Sequence, residues 1–294
     1  MSLVLRRGST TAVVDERGAT VLSFEHAGRR HLIGPDEAAP DLGHHGAVLA
    51  PWPGRLAGAV YEFEGRRRTA PVNDALGHAI HGFAFRRRWQ VLSQRDACVS
   101  LGVALYDKEV YPFAVELRVR YSLDVAGLRC DAEWVHRGDG VAPFGLGFHP
   151  YLSPGGGRVD EWTLTLAAAA VIEGSPQTRL PLPPRGPDDR DFTAGRRVGA
   201  ETFSRAYGAL PRDREGRARL HLSAAGQPSL EMTLSSALGW VQVFTGDNPD
   251  PRWHRRGLAL EPQTCPADSF NSGRDLLRLA DGERGHAWWG VRIV

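Results

Sequence analysis

The sequence predicts an all-β protein, one large antiparallel β-sandwich, and three observations carry that reading. Apolar residues recur at every second position through much of the chain, the period of a strand with one buried face. No amphipathic helical stretch exceeds two turns, and strands do not alternate with helices as a doubly wound or barrel α/β fold requires. The 34 glycines and 20 prolines spread over 294 residues suit many tight turns.

The first turn signal is Glu16-Arg17-Gly18, and the next, Glu64-Gly65, closes a hairpin that begins at Tyr61-Glu62-Phe63. Val99, Leu101, Val103 and Leu105 then alternate with smaller residues. The clearest run follows. Phe113, Val115, Leu117, Val119, Tyr121, Leu123 and Val125 share one face, while Glu116, Arg118, Arg120, Ser122 and Asp124 share the other. This is the pattern of a half-buried antiparallel strand, ended by a turn at Ala126-Gly127. Further runs are Trp162-Leu164-Leu166, Leu220-Leu222, Leu230-Met232-Leu234 and Trp289-Val291-Ile293, the last preceded by the turn Asp281-Gly282. Between Gly174 and Asp191, prolines at 176, 181, 183, 184 and 187 give a linker-like composition. The strand pattern resumes unchanged beyond it, which predicts a long surface excursion within one domain spanning residues 1–294.

Composition narrows the function. With 42% hydrophobic residues the chain can build a substantial core. Charge is nearly balanced, 36 basic residues against 34 acidic. The runs Arg66-Arg67-Arg68 and Arg86-Arg87-Arg88 are short and lack the basic–aromatic interleaving of a nucleic-acid groove, so they read as solvated faces. Lys108 is the single lysine, which leaves Schiff-base chemistry one candidate amine. Cys98, Cys130 and Cys265 form no paired motif and suggest neither a disulfide framework nor a zinc site. No run approaches the ~20 apolar residues that span a bilayer. The expectation is a cytoplasmic protein with no nucleic-acid or membrane partner.

Four segments combine reactive groups with Gly and Pro. Arg55 lies in Pro51-Trp52-Pro53-Gly54-Arg55-Leu56-Ala57-Gly58; it offers a fork of donors to hydroxyl oxygens, or simply covers a tryptophan face. His78 and His81 stand three apart in His78-Ala79-Ile80-His81-Gly82-Phe83, but no carboxylate accompanies them, so no metal site is expected. A sugar-binding histidine beside a glycine is the more economical reading there. His149 sits between glycines and a proline in Phe144-Gly145-Leu146-Gly147-Phe148-His149-Pro150-Tyr151, either as a proton-transfer group or as a satisfied core histidine. Glu261, in Leu258-Ala259-Leu260-Glu261-Pro262-Gln263-Thr264-Cys265-Pro266, is either paired by an arginine or held for base work. Gln242 and Asp247 add an amide and an acid near the end of an alternating strand, Trp240 to Asp247.

Taken in order, these segments resemble the aldose 1-epimerase (galactose mutarotase) family, from about Ala50 to the C-terminus. The marks are Pro-Trp-Pro-Gly-Arg at 51–55, the hairpin at 61–65, His81-Gly82 with Trp89, Gly147-Phe148-His149-Pro150-Tyr151, Gln242 to Asp247, and Glu261 to Asp268. The resemblance implies a galactose mutarotase-like β-supersandwich carrying a sugar cleft. It further implies His149 as general acid, Glu261 as general base, and Arg55, His81 and Gln242 as sugar ligands, with no cofactor or metal. Asp247 is taken as a further substrate-binding residue, and the expected state is a monomer or homodimer with a small sugar as substrate.

Two positions depart from the family's pattern. Gly54 stands where asparagine is usual, and Ser204, with Glu201 the nearest acid, stands where an aspartate usually holds a sugar hydroxyl. Three other readings remain alongside: a hexose-6-phosphate mutarotase using Arg86 to Arg88, a non-catalytic carbohydrate-binding protein, and, ranked last, a two-carboxylate glycosidase.

Overall fold

In the computed structural model, which describes residues 2–35 and 44–294, almost every regular element is an antiparallel strand. An 11-stranded sheet begins with the meander Ser2–Arg7, Thr10–Asp15, Thr20–His26 and Arg29–Ile33. It continues through Tyr151–Leu152, Leu258–Gln263, Trp240–Phe244 and Ser204–Gly208 to Ala170–Glu173, with Val48–Leu49 and Gly147–Phe148 attached at its centre. A second, 9-stranded sheet runs from Gln90–Arg95 through Cys98–Asp107, Tyr111–Leu123, Gly127–His136, Arg284–Ile293, Leu230–Leu234, Ala218–Ser223 and Thr163–Thr165 to Arg196–Arg197.

Alternation decides which side chains hold the sheets together. Val115, Leu117, Val119 and Tyr121 of the second sheet and Val241, Val243, Leu258 and Leu260 of the first belong to one continuous buried cluster. Each large apolar side chain buried in this way contributes about 1.5–3 kcal/mol. The residues between them necessarily point to the opposite faces. The all-β sandwich expected from the sequence is therefore the observed architecture.

Boundaries shift where turns intervene. The strand read as reaching Val125 ends at Leu123, and Val125 is 72% exposed, because the Asp124 carboxylate accepts from Ala126 N–H and starts the turn. At Glu64-Gly65 both residues adopt positive φ, which turns Val60–Phe63 back onto Arg66–Thr69. The proline-rich excursion is pinned by Arg185, whose guanidinium donates to Glu173 at 2.7 Å and to Asp191 at 2.6 Å. Among the described residues the one α-helix is the short turn Ser269–Ser272, and no helix is long and apolar enough to cross a membrane.

Candidate active site

Glu261 and Gln242 are directly paired across neighbouring strands, and Ala206 faces Gln242 on the next. Because Val241, Val243 and Leu260 turn into the core, Gln242 and Glu261 project together from the outer face of the 11-stranded sheet. Ser204 lies on that same face, and its hydroxyl accepts from the Gln242 amide at 2.8 Å. Glu201, the alternative acid, is engaged with Arg205 and Arg196 instead. Trp240, Ala206 and Ile172 form a small apolar cluster beside this polar row.

His149 reaches Glu261 from the segment between Gly147–Phe148 and Tyr151–Leu152. Its backbone is fixed on both sides: His149 N–H donates to Ala47 O at 3.1 Å, and its carbonyl accepts from Gly46 N–H at 2.8 Å. The imidazole Nε2 stands 3.4 Å from Glu261 Oε1, with both residues buried. The other carboxyl oxygen, Oε2, accepts from the Gln263 amide at 3.1 Å.

His81 stands against His149 with ring centroids 5.3 Å apart. Its backbone holds a positive φ of 68°, an uncommon conformation for a non-glycine residue that the surroundings must enforce. The enforcement is a reciprocal pair: His81 N–H donates to Gly54 O at 2.9 Å, and Gly54 N–H donates to His81 Nδ1 at 3.1 Å. Since Nδ1 accepts, a neutral His81 carries its proton on Nε2 and presents a donor. Gly54 itself has φ 68°, and a Cβ there would come within 2.6 Å of the Ala267 Cβ. The asparagine usual in the resembling family has no room in this backbone, so the departure is a packing requirement.

Arg55 joins the group from the strand Arg55–Leu56, paired with Ala79–Ile80. Its Nε is committed to Asp74, a residue that no sequence pattern marked. His78 proves to be a structural pin: Nδ1 accepts from Gly58 N–H, and Nε2 contacts Thr178 O at 3.0 Å. Arg86 and Arg87 lie over Phe85 and Phe83, and Arg88 pairs with Glu16; all three arginines are exposed.

Sequence reading missed His44 and His45. His44 packs edge-on to His81 at 4.6 Å, and His45 stacks on Tyr151 at 3.4 Å. Tyr151 in turn lies parallel to His149 at 5.0 Å. The pair is followed by Gly46, much as His149 follows Gly147, so the same search for histidines near glycines would have found it. Asp247 sits at the margin. One of its oxygens accepts from Arg255 at 2.8 Å and from Thr202 at 3.2 Å, while the other contacts Thr245.

Burial dominates the electrostatics. It pushes the Glu261 carboxyl up to about 8, against the smaller opposing effects of the Gln263 bond and the Arg55 charge. It also holds His149 well below the ordinary imidazole value, helped by His44 and His45. His81 is lowered likewise, by burial first and then by His44 and His149. Tyr151 is pushed well up by burial and by the Glu261 and Asp247 charges, and stays a neutral phenol. At neutral pH the resting pair is therefore a protonated Glu261 beside a neutral His149. The two groups stand 3.4 Å apart.

A hollow of about 490 Å³ lies elsewhere, on the outer face of the second sheet. Three of its arginines are matched by carboxylates: Arg129 by Asp131, Arg217 by Asp213, and Arg219 by Glu231. It contains no buried acid–base pair, so it does not compete as a reaction site. Among the described residues no three His, Cys, Asp or Glu side chains gather as a metal site would need.

The chain matches the family model described as aldose 1-epimerase over residues 1–291. A protein of Escherichia coli strain K12 named YihR, itself uncharacterized, is 33% identical over 290 residues, covering 96% of this chain and 89% of that one. The GalM/aldose epimerase homologue of C. elegans superposes with a TM-score of 0.87 at 18% identity, over 100% of this chain and 99% of that one. Galactose 1-epimerase from Lactobacillus acidophilus gives 0.81 at 17%, over 100% and 94%. At such identities these two structures speak for the fold, which is galactose mutarotase-like.

Proposed function

We propose that this chain, which belongs to the aldose 1-epimerase family, interconverts the α and β anomers of a free aldose through Glu261 and His149. The observation that carries the reading is the buried pair itself, Glu261 Oε1 facing His149 Nε2 at 3.4 Å beside a row of hydrogen-bonding groups. Opening a pyranose needs one group to take the anomeric hydroxyl proton and another to give a proton to the ring oxygen. The C1–O5 bond then breaks and C1 becomes an aldehyde. Rotation about C1–C2 presents the other carbonyl face, and reclosure with the proton roles exchanged yields the opposite anomer. Electrons and protons balance without any cofactor.

Protonated Glu261 with neutral His149 has the proton distribution that follows ring opening, with Glu261 as base and His149 as acid. It is thus poised for closure. For opening, the proton crosses from Glu261 to His149, and the sugar's hydroxyls favour that shift by solvating the ion pair. His81, donating from Nε2, Arg55, Gln242 and Asp247 serve as the sugar contacts in this reading. The three unpaired cysteines suit a reducing cytoplasm.

The test is proton-NMR exchange between anomers for a panel of aldoses and their 6-phosphates, with wild type and Glu261→Gln. Enhanced exchange that the substitution abolishes is the expected result. Sugar binding without enhanced exchange favours a non-catalytic carbohydrate-binding protein, and enhancement restricted to the 6-phosphates moves the substrate to phosphorylated hexoses.

A further inference from the structure

We propose that Gln263 is a positioning residue of this site: by occupying Glu261 Oε2 it fixes the mobile proton on Oε1, the oxygen that faces His149. The inference rests on the acid–base reading of Glu261 and deepens it.

The geometry is simple. Glu261 and Gln263 lie two apart on one strand, so both side chains leave the same face. The Gln263 amide reaches Oε2 at 3.1 Å, while Oε1 looks toward His149 at 3.4 Å. A carboxylic acid has one oxygen that donates and one that accepts. An N–H aimed at Oε2 makes Oε2 the acceptor, and the acid proton is left on Oε1. Were that proton on Oε2, it would point away from His149 and the two groups could not exchange it.

The surroundings keep Gln263 in this role. It is buried to 1% exposure between its register partners Trp240 and Gly147. A Cβ at Gly147 would stand 3.1 Å from Gln263 Cγ and 2.9 Å from Pro53 Cβ, so the glycine reserves the space through which the amide stem passes. The other polar groups around Glu261 are drawn toward partners of their own. Gln242 on the adjacent strand is engaged with Ser204, Arg55 with Asp74, and Asp247 with Arg255 and Thr245. Tyr151 is a neutral phenol, and His44, His45 and His81 pack around the imidazole side of the pair. The same amide favours the ionised carboxylate, opposing burial.

The experiment is an infrared titration of the Glu261 carboxyl, its band assigned by the Glu261→Gln variant, in wild type and in Gln263→Met. Methionine keeps the length and removes the donor. The expected result is a protonated-acid band at higher frequency, persisting to a pH about one unit higher. If the protein also exchanges anomers, kcat should fall at least tenfold with KM within about twofold, and the alkaline limb of kcat should rise with the band. Should Gln263→Met fail to fold, Gly147→Ala, which presses on the amide stem, should shift the band in the same direction. An unmoved band and an unmoved titration in a folded variant overturn the proposal. Absence of anomer exchange in wild type instead overturns the acid–base reading, and the infrared shift still decides what Gln263 does to Glu261.

Discussion

The outer faces of the two sheets are built from the same alternation and differ in how charge is settled. On the second sheet, arginines and carboxylates face each other in exposed pairs, Arg129 with Asp131 and Arg219 with Glu231. On the first, Glu261 and His149 are buried, the Arg55 charge opposes burial only weakly, and burial pushes both toward neutrality. Exposed pairs contribute little, about 0–1 kcal/mol each, and serve chiefly to keep the face solvated. Burying an acid–base pair is costly, and groups perturbed in this way are enriched at functional sites.

The comparison breaks most visibly at Glu261. Glu261→Gln should lower anomer exchange by about 10²–10⁴-fold, read by polarimetry, because the amide keeps the shape and cannot accept the proton. Stability should move the other way. A carboxyl held at about 8 when folded and near 4.5 when unfolded contributes fully below 4.5 and loses that contribution as pH rises through 8. The melting temperature of Glu261→Gln relative to wild type should therefore be higher at pH 8.5 than at pH 4.5. Equal differences at the two pH values would mean that Glu261 is not buried as an acid.

The pH profile is the next test. The working pair holds one proton, lost above about 8 and joined by a second only below the lowered His149 value. The exchange rate should stay level from pH 8 down through 6.5, and fall about tenfold per unit beyond the alkaline limb. A limb centred near 6.5 would show an ordinary histidine in control. Ser204→Asp, on the same face, should change selectivity among sugars that differ at single hydroxyls by about tenfold in kcat/KM. The reason is that a hydrogen bond to a charged group is worth about 1.5–3 kcal/mol. On the paired face, Arg219→Ala should cost at most about 1 kcal/mol in a urea melt and leave exchange untouched.

Strands were legible wherever the two-residue period ran uninterrupted, as from Val115 to Leu123, and ran past their ends where a side chain such as Asp124 captured the backbone. The approach of His149 to Glu261 had no local signature. It depends on which strands become neighbours in the finished sheet, so only the resemblance supplied it. Asp74 was invisible because it lies on a loop, where no periodicity marks a partner for Arg55. Gly54 was legible as a departure, but its physical reason was not. Its positive φ and its contact with Ala267 exist only in the folded chain.

Within the strand Trp240–Phe244, successive side chains run on two tracks, Val241 and Val243 toward the core, Gln242 toward the outer face that carries Glu261. Divergence can therefore proceed on one track while the other is held constant. Under the proposed function, sugar preference would drift through Gln242, Ser204 or their neighbours with little change in the apolar set that joins the sheets. Frame is what cannot drift: inserting or deleting one residue here exchanges the tracks, burying an amide and wetting a valine in a single step. Relatives of this chain should vary in this strand by substitution, and in length only at the turns on either side of it.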